Sequence, residues 1–103
     1  MSNTTHLIRD AIILKASELF KVHPRDIISH HRFDFVTRAR FAICKALRMR
    51  GWSYAQIGRF LKRDHSTVIH AVKRADYMME KDPDYAEAVK VLSEITVRVA
   101  GDD

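Results

Sequence analysis

The sequence predicts an all-α fold: a compact helical domain with a helix-turn-helix near its centre. Three observations predict it. Apolar residues recur at three- and four-residue spacings through most of the chain. Nowhere do apolar and polar residues alternate cleanly for long, so strands are not indicated. Gly and Pro are scarce, at three and two residues, and mostly mark breaks between the periodic stretches. At 103 residues the chain is expected to be one domain, residues 1–103, with enough core to fold without staples.

The elements follow in order. In "THLIRDAIILKASELF", Leu7, Ile8, Ala11, Ile12, Ala16, Leu19 and Phe20 share one helix face. Pro24 opens a short turn of helix, "PRDIIS", where its missing N–H costs nothing, and Ile27 and Ile28 are expected to plug into the core. A third helix should run from about Phe35 to Arg50, with Val36, Ala39, Ile43, Ala46 and Leu47 inward and Gly51 as its stop. Ser53 and Gln56 have capping-box spacing, so a fourth, short helix should start near Tyr54 and end near Leu61. A fifth begins after Asp64, its expected N-cap, with Val68, Ile69 and Val72 inward, and fades near Met79. Asp82 should cap the last helix, at about 84–99, through Ala86, Val89, Leu92, Ile95 and Val99.

Composition narrows the function. Hydrophobic residues make up 47% and charged residues 30%, which is globular rather than disordered. With 18 Lys+Arg against 13 Asp+Glu the net charge is +5, which favours an anionic partner, most often nucleic acid. The charge is also uneven. Between Arg32 and Arg63 nine basic residues meet one acidic residue, a net +8, whereas the chain from Asp76 onward is net −5. That asymmetry localises the positive field on the third to fifth helices.

The single cysteine, Cys44, has no internal partner and reads as a small buried hydrophobe, in keeping with a reducing cytosol. No secretory leader and no membrane span are expected, so the chain reads as cytoplasmic and nucleoid-associated. His30 and His31 are adjacent, so their side chains diverge, and His65 and His70 lack the spacing of a metal-binding pair. No paired carboxylates or activated nucleophile stand out. The expectation is a non-enzyme with no cofactor and no metal.

Residues 53–75 have the layout of a helix-turn-helix. Ile57 anchors the first helix, Gly58 is the small residue where two helices cross, and Leu61 closes it. After a short turn, Val68 and Val72 anchor the second helix. In that arrangement the start of the second helix projects into a DNA major groove. This gives a purpose to the polar block in "RDHSTVIHAVKR", residues 63–74. His65 can donate or accept, Asp64 can accept from a cytosine amino group, and the Thr67 methyl can pack on a thymine methyl. Ser66, Thr67 and the backbone amides there can also hold a phosphate. Asp64 can serve as a cap, a base contact or both. Many such turns carry Gly where φ is positive; this chain has Lys62, so either Lys62 bears that strain or the turn differs.

The block closely resembles RDHTTVxHAxxK, the signature of the C-terminal DNA-binding domain (domain IV) of the bacterial replication initiator DnaA, with Ser66 in place of a Thr. The likeness extends backwards. "IGRFLKRDH" resembles IGxxFGGRDH, "VTRAR" resembles VARPR, and "ASELFKVHPRDIIS" resembles the opening helix and its DLLS turn. It spans roughly residues 8–75 and implies a TrpR-like helical fold that binds duplex boxes similar to TTATCCACA.

The resemblance implies roles residue by residue. Asp64, His65, Ser66 and Thr67 would face bases or phosphates in the major groove, and Arg63 would neighbour the backbone. Arg32 would enter the adjacent minor groove. Arg40 and Arg48 would contact phosphates, while Arg38, Lys45 and Lys62 would supply phosphate contacts or field. Two departures stand out. "HHRFDF" has His30, His31, Phe33 and Asp34 where more Arg, Lys and Ser is usual, and Phe41 replaces a common Gln. A rival expectation is a protein-interaction module that binds the initiator or one of its regulators, using the first helix and the acidic last helix.

The sequence contains no GxxxxGK[ST] phosphate loop. The purified chain is therefore expected to occupy boxes or modulate the initiator without melting an origin. Origin opening in a permanganate footprint by this chain, with no other ATPase present, would contradict that.

Overall fold

A computed structural model describes residues 3–29 and 33–95 of the chain. The minor-groove contact expected of Arg32, the neighbouring His30 and His31, and the end of the last helix at Val99 lie outside the described residues. The described residues form six helices: α1 (Asn3–Phe20), α2 (Pro24–Ile28), α3 (Asp34–Met49), α4 (Tyr54–Leu61), α5 (His65–Lys81) and α6 (Pro83–Ser93). No strand occurs among them. α3 is the hub, packing against all five other helices. Its inward face, with Val36, Ala39, Ile43, Ala46 and Leu47 all fully buried, is the one its periodicity predicts.

α1 buries much of the expected stripe, with Ile8 and Phe20 packed against the core, but its edges differ. Ile12, Ile13 and Ala16 are core residues, whereas Leu7 and Leu19 are exposed. The helix is apolar around most of its circumference, so its own periodicity could not select a face; α3, α2 and α6 select it. α2 is a single turn, and successive residues on a helix point about 100° apart. Only Ile27 therefore reaches the core, and Ile28 is exposed. The His23 side chain caps α2 by accepting from the Arg25 amide.

On α5, Val68 and Val72 are buried as expected, while Ala71 and Ala75, small side chains that allow close approach, take the place of Ile69, which is half-buried. α5 runs on to Lys81, because nothing breaks it before Pro83. α6 is capped by Asp82, whose carboxylate accepts from the Asp84 and Tyr85 amides. Among the described residues it runs to Ser93. Arg50 Nη1 holds the chain there by donating to the carbonyls of Ser93, at 3.0 Å, and Ile95, at 2.6 Å. Tyr85, at the start of α6, is the largest fully buried side chain. Its hydroxyl donates to the Arg38 carbonyl at 2.7 Å.

The helix-turn-helix forms as its spacing predicts. Both bonds of the Ser53–Gln56 capping box are present at the start of α4. At the other end Lys62 adopts the left-handed conformation, φ 57° and ψ 51°, and so bears the backbone strain itself. The amides of Lys62 and Arg63 both donate to the Gly58 carbonyl. A Cβ on Gly58 would stand 2.7 Å from the Arg63 carbonyl oxygen, a backbone atom that cannot swing away. Gly58→Ala is therefore expected to destabilise the fold by about 1–3 kcal/mol. Urea denaturation followed by circular dichroism checks this; an unchanged midpoint would refute the close-approach argument.

Candidate nucleic-acid interface

The polar block "RDHST" forms the turn and the first turn of α5. Asp64 occupies the N-cap position with extended backbone, yet its side chain makes no cap hydrogen bond. The expected capping function thus falls to its backbone alone, whose carbonyl accepts from Val68 N at 3.0 Å. Asp64, His65, Ser66 and Thr67 are all exposed. No cap bond from Asp64 covers the first amides of α5, and these amides carry the partial positive charge of a helix start.

His65 is held from behind. Its ring lies 5.9 Å from that of Tyr54, and Tyr54 in turn carries the Arg48 guanidinium 4.4 Å above its face. Arg48 also donates to the Trp52 carbonyl at 2.8 Å. Arg48 therefore acts on this surface largely through Tyr54 and the α3–α4 turn. Trp52 packs edge-on to Phe60 with ring centroids 5.0 Å apart, so both residues anchor that turn.

Arg63 and Arg40 converge on the end of α2. Arg63 Nη1 donates to the Leu61 carbonyl at 3.0 Å, and Nη2 donates to the carbonyl of Ser29. Arg40 is 9% exposed. Its Nε donates to Ile27 O at 2.7 Å, and its Nη2 donates to Asp26 O at 2.7 Å and Ser29 O at 2.6 Å. A one-turn helix cannot satisfy these carbonyls itself. The phosphate contact expected of Arg40 does not suit a buried guanidinium aimed at four backbone and side-chain acceptors of its own chain. Arg40 supports the surface from beneath.

The remaining basic residues differ in availability. Lys62 is exposed at the tip of the turn. Lys45 pairs with Asp76 of α5 at 2.8 Å. Arg38 lies 3.6 Å from Asp82 and stacks 5.2 Å from the Tyr85 ring, at the α6 end of the molecule. Among the described residues neither Lys62 nor Arg63 makes an ion pair, although the exposed Asp64 follows them directly in the chain.

Between α3 and the start of α5 runs a groove with Thr37 and Phe41 on one wall and Ser66, Thr67 and His70 on the other. Cys44, Leu61 and Val68 line it more deeply. Burial pushes the Cys44 thiol up to about 12, against the opposing pull of Arg63 and Arg40, so it stays a neutral thiol at physiological pH. His70 did not feature as a site residue in the sequence reading. It is exposed, four residues along α5 from Ser66, and its ring stands edge-on to Phe41 at 6.4 Å. Its four-residue spacing from Ser66 sets the two on one face of α5. Among the described residues no group of three or more His, Cys, Asp or Glu is placed to hold a metal ion, and no helix is long and apolar enough to cross a membrane.

The family described as "Bacterial dnaA protein helix-turn-helix" matches residues 9–75, from α1 into α5. The chain belongs to that family. Relatives named chromosomal replication initiator protein DnaA agree over most of its length. That of Methylacidiphilum infernorum is 31% identical over 91% of this chain. That of Gluconobacter oxydans is 39% identical over 76% of it, and that of Jannaschia sp. 33% over 81%. The chain spans only about a fifth of these relatives, 24%, 17% and 18% of their lengths respectively. It is thus a DnaA-type helix-turn-helix domain, a DNA-binding fold related to replication initiation.

Arg40 gives this DnaA-type surface a direct test. Arg40→Met is expected to cost about 3 kcal/mol of stability, because buried carbonyls lose charged donors. In DNA titrations at conditions where the variant stays folded, the slope of log affinity against log salt should match wild type. A slope shallower by about one unit would restore Arg40 as a phosphate contact.

Proposed function

We propose that this chain binds duplex DNA sequence-specifically at sites similar to the DnaA box, and acts there in the control of replication initiation or of transcription. The observation that carries the reading is the open first turn of α5. Asp64, His65, Ser66 and Thr67 are exposed, and Asp64 makes no cap bond. Four polar side chains held outward on a rigid helix, with no work to do for the fold, suit base edges in a major groove. On this reading Arg63 to Thr67 read the groove, while Lys62 supplies field and phosphate contact. Arg48 and Tyr54 set the His65 ring. Arg38 and Lys45 contribute through the field of the basic middle of the chain, and Arg32 serves the neighbouring minor groove.

A second reading has the same fold bind the initiator or one of its regulators. Tyr77, 54% exposed on α5, favours it. Trp52 and Tyr54, both partly buried against the core, do not.

Fluorescence anisotropy with a labelled TTATCCACA duplex and a shuffled duplex, at two salt concentrations, separates the two readings. Box reading predicts a strong preference for the first duplex that survives the higher salt. Losing one base contact costs about 1–3 kcal/mol, so His65→Ala should weaken box binding about 5- to 150-fold. Equal binding by variant and wild type would remove His65 from the site. Equal, salt-erased binding to both duplexes would reject the box reading altogether.

A further inference from the structure

Beyond the reading turn, α5 carries a second group of exposed side chains. Tyr77 is 54% exposed. The Arg74 guanidinium lies 5.6 Å from its ring centroid and the Lys81 ammonium 5.5 Å, so two cations share one ring. Residues three and four apart lie on one helix face, so Arg74, Tyr77 and Lys81 form a single row. The two cations in it stand about 10 Å apart along the axis.

α6 carries a complementary row. Glu87, Val91 and Glu94 follow one another at spacings of four and three; both glutamates are exposed and Val91 is half-buried. Among the described residues no ion pair takes up Arg74, Lys81, Glu87 or Glu94. The row on α5 runs cation, aromatic, cation at steps of three and then four. The row on α6, taken backwards from Glu94, runs anion, aliphatic, anion at the same steps. An antiparallel contact therefore sets Arg74 against Glu94, Tyr77 against Val91 and Lys81 against Glu87 in one register. Each row also has one residue of the other sign beside it, Glu80 on α5 and Lys90 on α6, and these two are opposite in sign to each other. Within one chain α5 and α6 pack through their buried sides and leave both rows to solvent, so the match is between copies.

We infer that this chain self-associates by laying the α5 row of one copy antiparallel on the α6 row of a second. Of the six residues only Arg74 falls within the residues 9–75 that match the DnaA-type family, so this surface is separate from the reading turn. Charges facing each other across an interface fix register more than they add affinity, and exposed pairs contribute little each. The Tyr77 ring on Val91 adds the apolar part of the contact. The association is accordingly weak and sensitive to salt. It does not depend on the box-binding reading; together with that reading, joined copies bring two reading turns to one duplex.

Sedimentation equilibrium of the full chain, diluted from about 1 mM at low and at high salt, tests the pairing. For wild type the average mass should rise above the monomer with concentration at low salt, and the rise should vanish at high salt. Arg74→Glu/Lys81→Glu and Glu87→Lys/Glu94→Lys should each stay monomeric. An equal mixture of the two should associate again, because opposite signs then face each other, and this also shows that both variants fold. Tyr77→Ala should weaken the wild-type association about tenfold. A wild type that stays monomeric throughout overturns the inference and leaves the α5 row open to an acidic partner of another kind. Association that survives both reversals, or a mixture that stays monomeric, overturns it as well.

Discussion

The close passage of Gly58 beside the Arg63 carbonyl is the constraint on which the rest of this surface depends. With only 2.7 Å available for a Cβ, α4 and the turn meet backbone to backbone. The chain must then reverse within three residues, and Lys62 takes the left-handed conformation to do so. That conformation costs a residue with a Cβ about 1–2 kcal/mol. Two amide bonds to the Gly58 carbonyl and the burial of Ile57, Leu61 and Val68 around the crossing offset it. Everything the first turn of α5 presents to solvent is aimed by this crossing.

The arginines then extend that fixed geometry outward. Arg63 leaves the turn and holds the end of α2; Arg40 reaches the same carbonyl from α3. Arg48 sets Tyr54 and Arg50 ends α6. A guanidinium carries five donors in a planar fork, so one side chain can satisfy several carbonyls where a short helix or a loop leaves them open. These residues keep their charge while doing so. The field that would draw in an anionic backbone therefore arises in part from groups committed to the fold, and contact and field belong to different residues.

Charge pairing gives the field its direction. Asp76 takes up Lys45 and Asp82 takes up Arg38, both on the side of α3 that faces α5 and α6 away from the turn. Exposed pairs of this kind contribute little to stability. Among the described residues Lys62 and Arg63 make no ion pair, and they lie beside the helix start whose amides favour anions.

The sequence by itself determined the helical class, the order of the six helices, the capping box at Ser53 and the helix-turn-helix, because each rests on local spacing and on backbone groups close in the chain. It left open whether Lys62 bears positive φ or the turn differs, and the backbone of the folded turn decides for Lys62. Tertiary structure decided the rest. α1 is apolar nearly all round, so only its neighbours could choose Ile13 over Leu7 and Leu19. Ala71 and Ala75 replace Ile69 as the contact of α5 because helix approach distance, not hydrophobicity, selects them. Arg40 and Arg48 looked like surface charges in the sequence. Their partners lie on α2 and on the α3–α4 turn, and no periodicity reports which carbonyls a folded chain leaves unsatisfied. Arginine reads as a charge in a sequence, but here the fold uses several arginines first as hydrogen-bond donors.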